Sequence, residues 1–361
     1  MIPNGCVEQC PGCRYRQLSP EESDARKQAW AEQCLVGLGP IAPIASPSKR
    51  WGYRRKVLLH AEYGENGWRL GLLKRRGWDS ELIEIPNCPI HAPELNVTFH
   101  VLKNLLNQQP NLPLAFVLAS GPLLTLVLKC KENKVHKEWA RGTEKLLKEQ
   151  GVEGLQLNWN PSAGRRPVSS RHQEIIFGPK LAHDGEGFYG ALSFRQQIAE
   201  LEKLAARESE RFLAGLGQRR IVDLYSGSGT TLRLWEKLGW DCVGVELQGD
   251  AVEAAAKNAP LSLLLKGKVE QRIPQLDEWL GKSEEGFVLY TNPPRTGQGP
   301  AVNEWILSAR PAAIAYLSCN QKSLAADLHA LAPMYRVQRV LPLDFFPQTD
   351  HVESLTLLRL Q

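Results

Sequence analysis

In the C-terminal half of the chain, hydrophobic positions gather into short unbroken runs, each ending in a polar or glycine-rich step that opens onto a helical pattern. IVDLYSGSGTTLRLW, residues 221–235, reads as an apolar strand ending at Asp223-Leu224-Tyr225, a Gly227-Ser228-Gly229 turn and a helix. A second strand, DCVGVE, ends in Glu246. In FVLYTN, residues 287–292, a further strand is followed by Pro293 and Pro294, which fix the chain direction and aim Asn292. AAIAYLSCNQKSLAADL, from Ala312 to Leu328, predicts a buried parallel strand with Cys319 at its carboxyl end and a helix capped near Ser323. In DFFPQTDHVESLTLLRL, Pro347 closes one strand, Thr349 to His351 make a turn, and a last strand starts near Glu353. Non-alternating strands separated by helices predict an α/β, doubly wound, Rossmann-like sheet, which binds ligands beyond the carboxyl ends of its strands.

The N-terminal half is patterned differently. A helix is predicted from Pro20 to Leu38, capped by Ser19, favoured by Glu21 and Glu22 at its positive end, and stopped by Gly39-Pro40. KRWGYRRKVLLHAEY and GWRLGLLKRRGW alternate around Gly64 to Gly67, as in a β-hairpin. Their cations, from Lys49 to Arg76, interleave with Trp51, Tyr53, Trp68 and Trp78. Such a surface can neutralise phosphates and stack on bases, but a hairpin with one aromatic core face and one charged face has the same pattern. A helix (Leu95 to Asn107), a strand (Pro113 to Cys130) and a helix (Lys134 to Gln150) follow, an α+β arrangement whose loops carry Asn158, Trp159, Asn160 and the Arg165-Arg166 pair. Two domains are predicted, 1–188 and 189–361.

Composition narrows the class of molecule. At 361 residues, 43% hydrophobic and 23% charged, the chain is ordinary for a globular protein of two domains. It has no apolar run of about 18 residues, and MIPNGCVEQC lacks the build of a signal peptide, so a cytoplasmic location away from membranes is expected. The net charge of +5 is uneven: residues 1–190 hold 25 Lys and Arg against 19 Asp and Glu, and the remainder 19 against 20. An N-terminal basic surplus points to a nucleic-acid partner.

Eight cysteines in that compartment argue for metal, catalysis or burial rather than disulfides. Cys6, Cys10 and Cys13 lie within eight residues, with Pro11 and Gly12 turning the chain between the last two. Cys88, in the proline-flanked IPNCPI, is the best fourth thiolate, whereas Cys34 sits in an apolar-periodic helix. The spacing leaves zinc and an iron-sulfur cluster both open. The Gly227-Ser228-Gly229 turn and Glu246, about twenty residues on, suit a ligand with ribose hydroxyls. With no third glycine and no phosphate-binding lysine, a methyl donor fits better than a dinucleotide. A thiol at a strand end, Cys319, is a candidate nucleophile.

Together these stretches resemble the RNA uracil-C5 methyltransferase family. The matching pieces are the N-terminal cysteines with Cys88, the YRRK hairpin entry, Phe194-x-Gln196, DLYSGSG, Glu246, NPPRTG, SCNQKSLAADL and FPQTDHVE. They fall in order across nearly the whole chain. The resemblance implies a class I S-adenosylmethionine-dependent methyltransferase domain and a smaller α+β domain carrying a [4Fe-4S] cluster on Cys6, Cys10, Cys13 and Cys88. It implies that the helix at 20–38 packs on the catalytic domain. Gln196, Tyr225, Glu246 and Asn292 would contact the donor beside Gly227 and Gly229, Cys319 would be the nucleophile, and Glu353 the base. The Asn-Pro-Pro-Arg form and the lack of room for an added N-terminal β-barrel look most like the branch that acts on 23S ribosomal RNA, with transfer RNA as the alternative substrate. Nothing in the sequence demands more than a monomer.

The chain departs from the family pattern at four positions: Asn292 where most members have Asp, Ser226 for Cys, Gln321 for Pro, and Ile198 for Asn. Asn-Pro-Pro followed by an aromatic residue would mark exocyclic amino methylation, but Arg295 stands there instead. A non-catalytic iron-sulfur RNA-binding protein would need neither Cys319 nor Glu353.

Overall fold

The computed structural model describes residues 2–76, 79–163, 167–169 and 172–361; Trp78 and the Arg165-Arg166 pair lie outside them, as does the side chain of Arg76. Along the chain come α1 (Pro20–Cys34), β1 (Lys56–Gly64), β2 (Gly67–Arg76), β3 (Asp79–Glu84) and α2 (Pro93–Leu106). Next are β4 (Leu114–Ser120), β5 (Leu123–Leu128), α3 (Lys134–Gly142), α4 (Glu144–Glu149), β6 (Gly154–Trp159) and β7 (Gln173–Phe177). Short strands β8 (Leu181–His183) and β9 (Phe188–Gly190) precede α5 (Ala199–Ala214), β10 (Arg220–Leu224), α6 (Thr230–Lys237), β11 (Asp241–Glu246) and α7 (Gly249–Asn258). Then follow β12 (Leu263–Lys266), α8 (Val269–Leu280), β13 (Val288–Thr291), α9 (Pro300–Ala309) and β14 (Ala313–Ser318). The chain closes with α10 (Gln321–Leu331), β15 (Tyr335–Leu343) and β16 (Glu353–Leu360).

These elements form two compact units, each assembled from separate stretches of chain. One contains the N-terminal stretch to Gln17, Lys49–Gly185 and Gly190–Leu192. Its sheet runs β3-β2-β1-β4-β5-β6-β7 and is antiparallel apart from the parallel pair β5 and β6. The β1–β2 hairpin closes on the Gly64–Gly67 pair, with Gly67 at φ 95° supplying the left-handed residue of the turn. Trp68 and Leu70 join the buried core with Val57 and Leu59, and Tyr53 is buried as well. Of the hairpin aromatics, then, Trp68 and Tyr53 serve packing, and the Trp68 indole N–H donates to the Gln109 carbonyl at 3.2 Å.

Two predicted elements are divided. The single strand expected from Pro113 to Cys130 is the β4–β5 hairpin, because Gly121 at φ 57° and Pro122 turn the chain between two equally apolar runs. The helix expected from Lys134 to Gln150 breaks at Thr143, whose hydroxyl donates to the Ala140 carbonyl at 2.7 Å. A side chain that bonds its own backbone competes with helix continuation.

The second unit comprises Leu18–Ser48, Glu186–Tyr189 and Ser193–Gln361. Its sheet order is β12-β11-β10-β13-β14-β16-β15. β12, β11, β10, β13 and β14 pair in parallel, and β16 lies antiparallel between β14 and β15. The order reverses between β10 and β13, the topological point at which such sheets open a ligand crevice.

Helix α1 belongs to this unit. Ser19 and Glu22 make a reciprocal capping box, and Leu35, just past the last turn, is fully buried among Val222, Val243, Leu331 and Val337. The following residues pair with β15, as Ala42 and Ala45 N–H donate to the carbonyls of Val340 and Pro342 at 2.8 and 2.9 Å. No helix among the described residues is long and apolar enough to cross a membrane.

Candidate active site

The carboxyl ends of β10, β11, β13 and β14 gather the predicted side chains at one edge of the second sheet. After β10 the chain must turn sharply, and Tyr225, at φ 61°, takes a left-handed conformation uncommon for a side chain of its size. Gly227 and Gly229 follow at φ 56° and 77°. A Cβ on Gly229 would sit 3.0 Å from Ala255, so glycine lets the turn lie directly on α7. Glu246, at the end of the neighbouring strand β11, holds the turn. Its carboxylate accepts the Gly227 N–H at 3.0 Å and the Gln248 N–H at 2.7 Å. Two carboxylate oxygens offer about four acceptor sites, so capacity remains for a ligand hydroxyl. Beneath the turn, Asp223 is fully buried and accepts the Thr231 hydroxyl at 2.5 Å; burial lifts its carboxyl to about 7.

Cys319 and Glu353 meet through strand register. Ser318 of β14 pairs with Ser354 of antiparallel β16, which sets the next residue of one strand opposite the preceding residue of the other. Glu353, expected near a strand tip, is buried at 2% exposure, and this raises its carboxyl to about 7 against the opposing effect of Gln196. The Gln196 amide donates to Glu353 Oε2 at 2.9 Å, while its own Oε1 is buried without a hydrogen-bond partner. The half-buried Cys319 thiol is also pushed up, first by burial and then by Glu353, with Arg295 acting the other way.

The segments bearing these groups are held by buried hydrogen bonds. The helix after Cys319 is capped by Asn320, whose Oδ1 accepts the Lys322 N–H at 3.1 Å, rather than near Ser323 as the sequence suggested. Asn320 Nδ2 also donates to the Arg295 carbonyl at 2.8 Å, tying the SCN and NPPR segments together. Asp327 is the hub beneath them, accepting from Gln298 N–H, Asn303 Nδ2 and the Tyr316 hydroxyl at 3.0, 2.8 and 2.6 Å. Gln321 spans both neighbours of Glu353. Its Nε2 donates to the Val352 carbonyl, and its Oε1 accepts the Ser354 hydroxyl, both at 2.9 Å.

Sequence reasoning missed Asp327 and the buried pair of Lys27 and Asp344, and it marked Gln321 only as a departure from the family pattern. Asp327 had a legible signal, an acid on the apolar side of an amphipathic pattern; the partner of Lys27 is more than 300 residues away and had none. β15 ends at Leu343, so Pro347 lies inside the β15–β16 connection instead of closing a strand. Ile198 is buried at the start of α5, and Asn292, half-buried, follows β13 directly.

In the first unit Cys6, Cys10, Cys13 and Cys88 line one cavity, with Val7, Arg16, Trp51 and Ile90 also in its wall. Burial and then the other three cysteines push the Cys13 thiol up to about 12, and burial raises Cys6 and Cys88. Among the described residues no three His, Cys, Asp or Glu side chains form a ligand group for a metal ion.

Residues 275–361 match the sequence profile of the family described as tRNA (Uracil-5-)-methyltransferase. Among curated proteins, an "Uncharacterized RNA methyltransferase" of Thermosynechococcus vestitus is 28% identical, over 99% of this chain and 84% of its own length. Another so named, from Bacillus cereus, is 28% identical over 99% and 82%. Among solved structures, the tRNA (uracil-54, C5)-methyltransferase of Pyrococcus abyssi, in complex with S-adenosyl-L-homocysteine, superposes with a TM-score of 0.73 at 19% identity, covering 98% of this chain and 86% of that one. This likeness confirms the mixed α/β methyltransferase fold expected from the sequence.

Ser226 presents a testable imperfection. Its hydroxyl is buried without a hydrogen-bond partner, 3.0 Å from where a Cβ on Gly244 would lie. A thiol demands less of a partner than a hydroxyl does. Ser226→Cys is expected to stabilise the protein by about 1 kcal/mol, read as a higher urea midpoint; an unchanged or lower midpoint would mean that the hydroxyl is satisfied.

Proposed function

We propose that the chain is a member of the RNA (uracil-5-)-methyltransferase family and uses Cys319 and Glu353 to form 5-methyluridine in RNA, with 23S ribosomal RNA as the expected substrate. One observation carries the reading: a half-buried thiol and a buried carboxylate are set opposite each other at the carboxyl edge that also holds the Gly227–Glu246 turn. The family profile and the RNA methyltransferase relatives support it.

S-adenosylmethionine would be held by Glu246, the Gly227 to Gly229 turn, Tyr225, Gln196 and Asn292, and when bound it supplies an electrophilic methyl group. The spare acceptor capacity of Glu246 and the unpartnered Gln196 Oε1 suit a ligand rich in hydroxyl and N–H donors. Uracil C5 is a weak nucleophile. The Cys319 thiolate adds to C6, forming a carbon–sulfur bond and moving the C5–C6 π electrons into an enolate that activates C5. Once C5 carries its methyl group, Glu353 takes the remaining C5 proton, the C5–C6 double bond re-forms, and the thiolate leaves. Attack on C6 needs an unstacked base, so the target uridine lies in a loop or is flipped out of a helix.

Four soft thiolates around one cavity are the donor set of a thiolate-bound metal centre, zinc or iron-sulfur, and the family resemblance favours the latter. We assign Cys6, Cys10, Cys13 and Cys88 as ligands of a [4Fe-4S] cluster. Anaerobically purified protein should be brown and hold about four iron atoms per chain on that cluster stoichiometry; colourless protein with one zinc per chain would remove the assignment.

The decisive assay mixes the protein with unmodified 23S ribosomal RNA, or in parallel transfer RNA, and labelled S-adenosylmethionine, followed by mass spectrometry for 5-methyluridine. Cys319→Ala should abolish the product, and Glu353→Gln should trap a protein–RNA adduct; 5-methyluridine at the wild-type level from Cys319→Ala would end the covalent reading. In the wild type, the rate at which the methylated adduct breaks down in a single turnover should climb as pH rises through about 7, because the raised carboxyl of Glu353 must ionise before it can accept a proton. A flat profile between pH 6 and 8, on the order of one unit either side of that value, would exclude Glu353 as the base.

A further inference from the structure

Helix α1 reaches the connection that leads into Glu353 through a fully buried ion pair. Lys27 Nζ lies 2.5 Å from Asp344 Oδ1, and both side chains are 0% exposed. The same ammonium donates to the carbonyls of Phe346 and Pro347 at 2.9 and 3.4 Å, and Ser23 Oγ donates to the Pro347 carbonyl at 3.1 Å. From the other side, Asp344 N–H donates to the Ala45 carbonyl at 2.9 Å. Thus the stretch Leu18–Ser48 grips the start of the β15–β16 connection by side chain and by backbone.

Stability alone does not call for a lysine here. Burying an ammonium costs several kcal/mol, and well-packed apolar residues would hold the helix as well or better. What one nitrogen facing oxygens of residues 344, 346 and 347 adds is direction, since it fixes the path of the chain at that point. Leu343, immediately before Asp344, is the register partner of Glu353. The connection leaves the sheet at Leu343 and must return to it at Glu353, so an error in its path is delivered to the carboxylate facing Cys319.

We propose that Lys27, through Asp344 and the 344–347 segment, is a positioning residue for Glu353, needed for the proton-removal step and dispensable for donor binding and thiol addition. The proposal rests on the covalent reading given above. Removing Lys27 alone leaves a buried carboxylate unpaired and can unfold the protein, so the test uses Lys27→Met/Asp344→Asn, which removes both charges together.

The double variant is expected to melt near the wild type and to bind S-adenosylhomocysteine with unchanged affinity by calorimetry. Its kcat for 5-methyluridine formation should fall at least tenfold with little change in KM for RNA. A slow-migrating protein–RNA adduct should accumulate on denaturing gels, as in Glu353→Gln. A purely structural pair would lower activity only in proportion to the folded fraction, with no added adduct. Wild-type kcat in the folded double variant, or a loss of kcat without adduct, overturns the proposal. Failure of the underlying reading has its own signature: no 5-methyluridine from the wild-type protein on either RNA, which takes the positioning role with it.

Discussion

The antiparallel seating of β16 between β14 and β15 is the constraint on which the candidate site depends. In a wholly parallel sheet, strand beginnings lie at the edge opposite the ligand crevice. Because β16 runs the other way, its first residue, Glu353, arrives at the edge where β14 ends in Ser318 and Cys319. The Ser318–Ser354 register then decides which carboxylate meets the thiol. A slip of one residue would turn Glu353 to the other face of the sheet. Much of the polar structure nearby guards this register: Gln321 bridges Val352 and Ser354, and Lys27 pins the connection on the far side of Leu343.

Burial acts on Cys319 and Glu353 in the same direction, because low dielectric disfavours the charged forms of thiol and carboxyl alike. For Glu353 the effect lifts the carboxyl to about 7, so that its protonation changes near neutral pH. Arg295 faces the opposite way for Cys319, favouring thiolate, and Asn320 ties its segment to the SCN turn. The departures from the family pattern fall into this arrangement. Gln321, in place of proline, provides hydrogen bonds that proline could not make, whereas Ser226 leaves a buried hydroxyl without a partner.

The first unit follows a separate logic. Its sheet buries Trp68, and Tyr53 is buried as well, so these two of the aromatics that the sequence had set against the lysines and arginines serve packing, while Tyr63 of β1 stays exposed. Its four cysteines come from two distant stretches, the segment to Gln17 and the loop at Cys88, and share one cavity.

By itself the sequence determined the identity and order of the parts. The doubly wound sheet, the glycine turn, Glu246 and Cys319 at strand ends, and a final strand beginning at Glu353 were all legible, because each depends on local rules: apolar runs for buried strands, glycine for left-handed turns, side-chain caps for helices. The departures from expectation were local too, since two apolar runs joined by Gly121-Pro122 read as one strand and a back-bonded Thr143 went unnoticed in a helix. Only the tertiary structure decided what lies opposite what. That Glu353 is buried, that Gln196 reaches it across 157 residues of sequence, and that Lys27 is neutralised by an aspartate 317 residues away are consequences of strand register and packing. One chain read alone carries no record of them, because burial and pairing are properties of the assembled neighbours and not of any stretch of sequence.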